Sequence, residues 1–183
     1  MNSSARLEPL ELLRRQEANR LPWLLPERRR RMAESPFAFF RGAAIVMAAD
    51  LGRQPHSGLM VQLCGDAHLL NFGFYGSPER QLLFGINDFD ETHPGPFEWD
   101  VQRLAASVVV AAEANEHKPK QARKASMATV RSYRETMAQL AMLPTLNVWF
   151  ATLDFDDLLG AVRKTALGKA GKKAHKRTGG SAV

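Results

Sequence analysis

Cysteine is nearly absent. Cys64 is the only one in 183 residues, which excludes an internal disulfide framework and a zinc site built from several thiolates. A reducing compartment suits such a chain, and a cytoplasmic location is expected. Long apolar runs are missing too: "MNSSARLEPLELLRRQ" has no apolar core of signal-peptide length, and "ASVVVAA" (106–112) is far too short to cross a bilayer. No membrane partner is expected. Acids are absent from residue 161 onward, where seven Lys and Arg stand unbalanced. The formal charge of +6 therefore belongs to a tail, since 18 bases face 19 acids over residues 1–160.

What is present describes a globular body. With 45% apolar and 24% charged residues the chain can build one ordinary core, expected over residues 1–160. Residues 161–183, rich in Gly, Ala and Lys, read as a basic tail that is disordered in isolation, and non-specific polyanion contact through it is the one nucleic-acid role expected. Its "GKAGKK" is superficially a phosphate-binding loop. The match fails because Ala166 stands where the first glycine is needed, Lys173 replaces the magnesium-holding Ser/Thr, and no buried strand leads in.

Periodicity predicts a mostly helical α+β fold. "LEPLELLRRQEANR" (7–20) has leucines at 7, 10, 12 and 13 and reads as an amphipathic helix stopped by Pro22. The run Arg28–Arg31 reads as a solvated helix face, with phosphate contact as the alternative. Ser35 and Pro36 open a helix that continues through "PFAFFRGAAIVMAADLG", placing Phe37, Phe40, Ala44, Met47 and Leu51 on one face. Arg41, embedded there among phenylalanines and alanines, needs an anion, either a protein carboxylate or a ligand phosphate, and so is a candidate cofactor-binding residue. Strands are expected over 59–64 and 81–88, with turn chemistry in "YGSPER" (75–80). A long helix from Phe97 should bury Val101, Leu104, Val108 and Ala112, and another after Pro119 should bury Ala122, Met127, Val130, Tyr133 and Met137. Residues 145–162 are ambiguous.

The chemistry concentrates between Asp66 and Asp100. Seven acids, Asp66, Glu79, Asp88, Asp90, Glu91, Glu98 and Asp100, face one base, Arg80. Burying such carboxylates unpaired is costly, and a divalent cation or a ligand's cationic group would offset that cost. Asp and Asn oxygens suit magnesium, whereas paired His/Cys ligands for zinc are lacking. Asp66 and Asn71 lie five apart in a loop after a strand, and Asp88 follows at the end of the next one. Phosphoryl transfer needs this set: a carboxylate to accept a hydroxyl proton, and a carboxamide with a second carboxylate to hold magnesium on a nucleoside triphosphate. Local turn formation by Asp66 and Asn71, a strand-end cap at Asp88 and a helix-start preference at Asp100 are the competing accounts.

"GDAHLLN" followed by "INDFDE" resembles the catalytic loop and metal-binding segment of the aminoglycoside-phosphotransferase branch of the protein-kinase-like fold. Together, "RMAESPFAFFRGAAIVMAADL", "CGDAHLLNFG" and "NDFDETHPGPFEWDVQRLAAS" closely resemble a largely bacterial family of unknown function, domain-of-unknown-function family 2252, over about residues 20 to 155. The resemblance implies a partial, kinase-like C-lobe with a short β hairpin carrying the catalytic-type loop. It implies Asp66 as catalytic base, Asn71 and Asp88 as magnesium ligands assisted by Asp90, His68 as a brace of the loop, and Asp100 as the acid that pins the loop by its backbone amides. Arg103 is expected to pair with a nearby carboxylate. His93 reads as a loop residue, and Cys64 as a small buried side chain rather than a nucleophile.

The implied activity is a magnesium- and ATP-dependent phosphotransferase acting on a small hydroxylated substrate. No glycine-rich phosphate loop with its lysine precedes Asp66, as the glycines at 42, 52, 58 and 65 form no cluster. The chain accordingly reads as a truncated or frameshifted copy, active or inactive, with ATP expected only if a nucleotide-binding segment is supplied. Two other classes stay open. One is a metal-dependent hydrolase using Asp66, His68, Asp88 and Asp90; the other is a non-catalytic binding module whose arginine run or tail meets an acidic partner.

Overall fold

The computed structural model describes residues 6–160 and 163. It is a mostly helical α+β protein with two small antiparallel sheets of two strands each. In chain order the elements are α1 (Pro9–Glu17), α2 (Leu25–Met32), α3 (Pro36–Gly42), α4 (Ala44–Leu51), β1 (Met60–Leu63), β2 (Phe72–Gly76), β3 (Leu82–Ile86), β4 (His93–Pro96), α5 (Glu98–Ala114), α6 (Pro119–Leu140) and α7 (Thr145–Trp149). Among the described residues they form two compact units, one of residues up to 71 with 88–143, the other of 72–87 with those from 144 onward. The tail expected over 161–183, with its "GKAGKK", lies outside the described residues except for Arg163.

In the first unit α1 and α3 each start on a side-chain cap. Glu8 caps α1 by accepting from Glu11 N, with Pro9 in the first turn and Arg14 and Arg15 in the last. Ser35 Oγ accepts from Ala38 N at 3.0 Å to start α3 at Pro36. Leu13, Met32 and Ala43 form a buried cluster against which Ile45 and Val46 pack. The expected continuous helix from 36 to 51 is instead two helices, α3 and α4. The helix breaks at Ala43 (φ −115, ψ 35), where the Gly42 carbonyl accepts from Arg28 Nη2. The arginine run is neutralised from within: Glu17 meets Arg29, Glu27 meets Arg30 and Arg31, and Glu34 meets Arg30.

β1 pairs antiparallel with β4, Met60 opposite Pro96 and Leu63 opposite His93. Two expectations fail here. The strand at 60–63 does not neighbour the one at 82–86, and His93 opens a strand instead of sitting in a loop. α5 follows β4 directly and packs on α3, α4 and α6. Its most buried positions are Arg103 and Ser107 rather than the expected Val101, Leu104, Val108 and Ala112, which are half-buried. On α6 only Ala122 of the expected apolar face is buried, while Met127, Val130, Tyr133 and Met137 remain exposed.

The second unit is built on the hairpin of β2 and β3, Phe72 opposite Ile86 and Gly76 opposite Leu82. Its turn closes through Ser77 N to the Gln81 carbonyl, with Arg80 at φ 63. The ambiguous segment is α7, a bridge from Asp154 to Leu83, and helix over 155–160. Phe74 sets its ring edge against Phe84 and Phe155.

Candidate active-site loop

The loop from Cys64 to Asn71 leaves the end of β1, and α5 holds it from below. The strands flanking it belong to different sheets, so it does not ride on a single hairpin as expected. Gly65 makes the exit possible: its φ is +86, and a Cβ there would come within 1.9 Å of the Glu91 carbonyl oxygen. Both carboxylate oxygens of Asp100, in the first turn of α5, accept loop amides, Oδ2 from Cys64 N at 2.8 Å and Oδ1 from Gly65 N at 3.1 Å. One α5 turn pair further on, Ser107 Oγ accepts from Leu69 N at 3.1 Å. α5 therefore fixes the loop at both ends.

Asp66 sits between these anchors. Its Oδ1 accepts from Arg103 Nε at 2.7 Å, while Oδ2 lies 3.6 Å from His68 Nε2. Arg103, whose side chain is 4% exposed, also donates through Nη2 to the Phe40 carbonyl at 2.7 Å and lies 3.8 Å over the Phe40 ring. Arg103 thus has its carboxylate partner. Arg41 does not occupy the position expected of it, because its side chain is exposed and makes no ion pair among the described residues. The buried guanidinium of this region comes from α5, three residues after Asp100, and the carboxylate expected to pair with Arg103 is that of Asp66.

His68 is 3% exposed, with its ring edge-on to Phe37 at 6.4 Å. Burial, and then the charges of Arg41 and Arg103, outweigh Asp66 and hold the imidazole below its ordinary value. Nδ1 accepts from Leu70 N at 3.2 Å, so the neutral ring carries its proton on Nε2, facing Asp66 Oδ2. Asn71 is also buried, and its Nδ2 donates to the Asp66 carbonyl at 2.7 Å. Its Oδ1 takes no hydrogen bond among the described residues. Cys64 is buried, and that burial, reinforced by Asp100, pushes its thiol up to about 11.

Asp88 and Asp90 are exposed, and Asp88 Oδ1 accepts from Asp90 N at 3.2 Å. Asn71 Oδ1 and these carboxylates are oxygen donors of the kind magnesium takes. Yet no three His, Cys, Asp or Glu among the described residues gather as metal ligands, and Asp66 has one oxygen committed to Arg103. Asp66, Asn71, His68, Asp100 and Arg103 come together; among the described residues Asp88 and Asp90 form no hydrogen bond to them. A small cavity of about 20 Å³ beneath the loop, lined by Gly65, His93, Asp100 and Arg103 among others, has room for about one water.

These features define a helical α+β protein whose acidic loop is clamped between a strand end and the following helix. The chain belongs to the family described as "Uncharacterized protein conserved in bacteria (DUF2252)", whose pattern matches residues 20–182. No curated protein matches it. No solved structure matches it either. Among the described residues no helix is long and apolar enough to cross a membrane.

Proposed function

We propose that the chain carries the acceptor-binding half of a phosphotransferase site of kinase-like type, in which Asp66 positions a substrate hydroxyl and accepts its proton. The observation that carries this reading is the double clamp on the loop. Asp100 takes the two amides preceding Asp66, and Asn71 takes the Asp66 carbonyl, so the acid is held rigidly with Oδ2 as its less committed oxygen. The Nε2 of His68 lies 3.6 Å from that oxygen. Asn71 Oδ1 and Asp88 are the groups this reading assigns to magnesium on ATP. They need further donors to complete a site.

Calorimetric titration of the full chain with ATP, with and without magnesium, tests the reading. Weak binding that requires magnesium, is lost in Asp88→Asn and survives in Asp66→Asn is expected. Binding indifferent to magnesium, or none, rejects it. One observation favours a second reading, a non-catalytic module: the buried Arg103 engages Asp66 directly. There Asp66→Asn would cost stability, about 3 kcal/mol or more for a broken buried pair, and leave every ligand titration unchanged.

A further inference from the structure

α6 is 22 residues long, about 33 Å, and carries Lys120, Arg123, Lys124, Arg131 and Arg134 against a single acid, Glu135. At 3.6 residues per turn those five bases fall within about 100° of arc on one side of the helix. Among the described residues no acid pairs with Lys120, Arg123, Lys124 or Arg131, and Arg134 reaches only Glu135, at 3.9 Å. The arc is not purely polar. Met127, 56% exposed, lies at its centre, and Val130 and Met137, 39% and 48% exposed, lie on its edge toward α5.

We infer that this face of α6 docks on an anionic phospholipid surface, with the bases on the headgroups and Met127, Val130 and Met137 entering the headgroup–acyl boundary. Charge complementarity makes the occupant anionic. It also excludes the chain's own residues 161–183, which carry seven bases and no acid. The interleaved apolar side chains separate a lipid surface from a nucleic acid, whose phosphate backbone offers methionine nothing. The inference is independent of the loop at Asp66, and peripheral contact of this kind needs no spanning helix.

Co-sedimentation of the full chain with vesicles of phosphatidylglycerol and phosphatidylcholine in equal parts, against phosphatidylcholine alone, tests it. Binding to the anionic vesicles only, weakening as salt rises, is expected. Each base near such a surface contributes about fivefold in partitioning. Lys124→Glu, Arg131→Glu and Arg134→Glu combined should therefore lower it at least ~100-fold, with helicity by circular dichroism unchanged. Met127→Ser with Met137→Ser, which leaves the charge alone, should lower vesicle binding severalfold and leave retention on heparin unaltered. Replacing Lys169, Lys172, Lys173 and Lys176 by Gln should preserve the preference for anionic vesicles. Equal binding to both vesicles overturns the proposal, as does loss on the tail replacements with none on the α6 reversals. An unchanged serine pair overturns it in favour of a plain polyanion contact, and a dimer in light scattering that shields Met127 overturns it in favour of a second copy.

Discussion

At the scale of single residues, the loop depends on groups whose alternatives are excluded by space or charge. Gly65 is the sharpest case. Any side chain there meets both a left-handed backbone and the Glu91 carbonyl, so Gly65→Ala should destabilise the chain by about 2 kcal/mol or more in urea unfolding. Full stability in that variant would mean the exit from β1 can be rebuilt. His68 gives a pH signature. Its native value lies below the ordinary one, so the unfolded chain binds the extra proton as pH falls through about 6.5. Stability is then full above about 6.5 and declines below it. Urea midpoints measured from pH 8 to pH 5 should fall on the acid side in the parent and lose that part of the slope in His68→Gln. The Cys64 thiol, pushed up to about 11 by burial, should resist alkylation at pH 8 until the chain is unfolded.

At the scale of elements, caps and anchors were legible where the partner is close in sequence. Ser35 before Pro36 reads as a helix start and is one, and Ser35→Ala should cost about 1 kcal/mol in thermal or urea unfolding. Loss of that cap would also loosen α3, whose Phe40 carbonyl holds Arg103, so a variant of unaltered stability would show that tertiary packing alone fixes the helix. The order of Asp66, His68, Asn71 and Asp100 was legible because the loop and α5 keep their chemistry in short stretches. Distant pairings were not. Nothing local tells Leu63 that its partner is His93 rather than a residue of 82–86, because a two-stranded ladder is chosen by tertiary contacts. The break at Ala43 was not legible for a similar reason: the Gly42 carbonyl beside it is taken by Arg28, fourteen residues upstream of Gly42. Arg41 was singled out by its apolar neighbours in sequence, yet helix geometry turns it outward and leaves the buried ion pair to Arg103.

At the scale of the whole molecule, charge and burial are both unevenly divided. Of the ten buried apolar side chains among the described residues, nine lie in the unit that holds the loop, and only Leu83 lies in the unit built on the hairpin of β2 and β3. Composition told of a core sufficient for the body but not of this division. A two-stranded hairpin with one buried apolar residue among the described residues has little to hold it in water, and its neighbours Phe74, Phe84 and Phe155 add edge-on ring contacts rather than deep burial. The loop amides, in contrast, are tied to Asp100 and Ser107 on a helix packed by three others. Local opening should therefore differ between the units by several kcal/mol, which is a factor of roughly a thousand or more in exchange protection. Hydrogen exchange read by mass spectrometry should show peptides covering 72–86 exchanging orders of magnitude faster than those covering 60–71 and 98–114. Asp100→Ala, by stripping Cys64 and Gly65 of their acceptor, should raise exchange in 60–71 toward the rate of the hairpin while leaving 72–86 as it was. Equal protection of the two regions in the parent chain would mean the hairpin draws its stability from contacts other than its own.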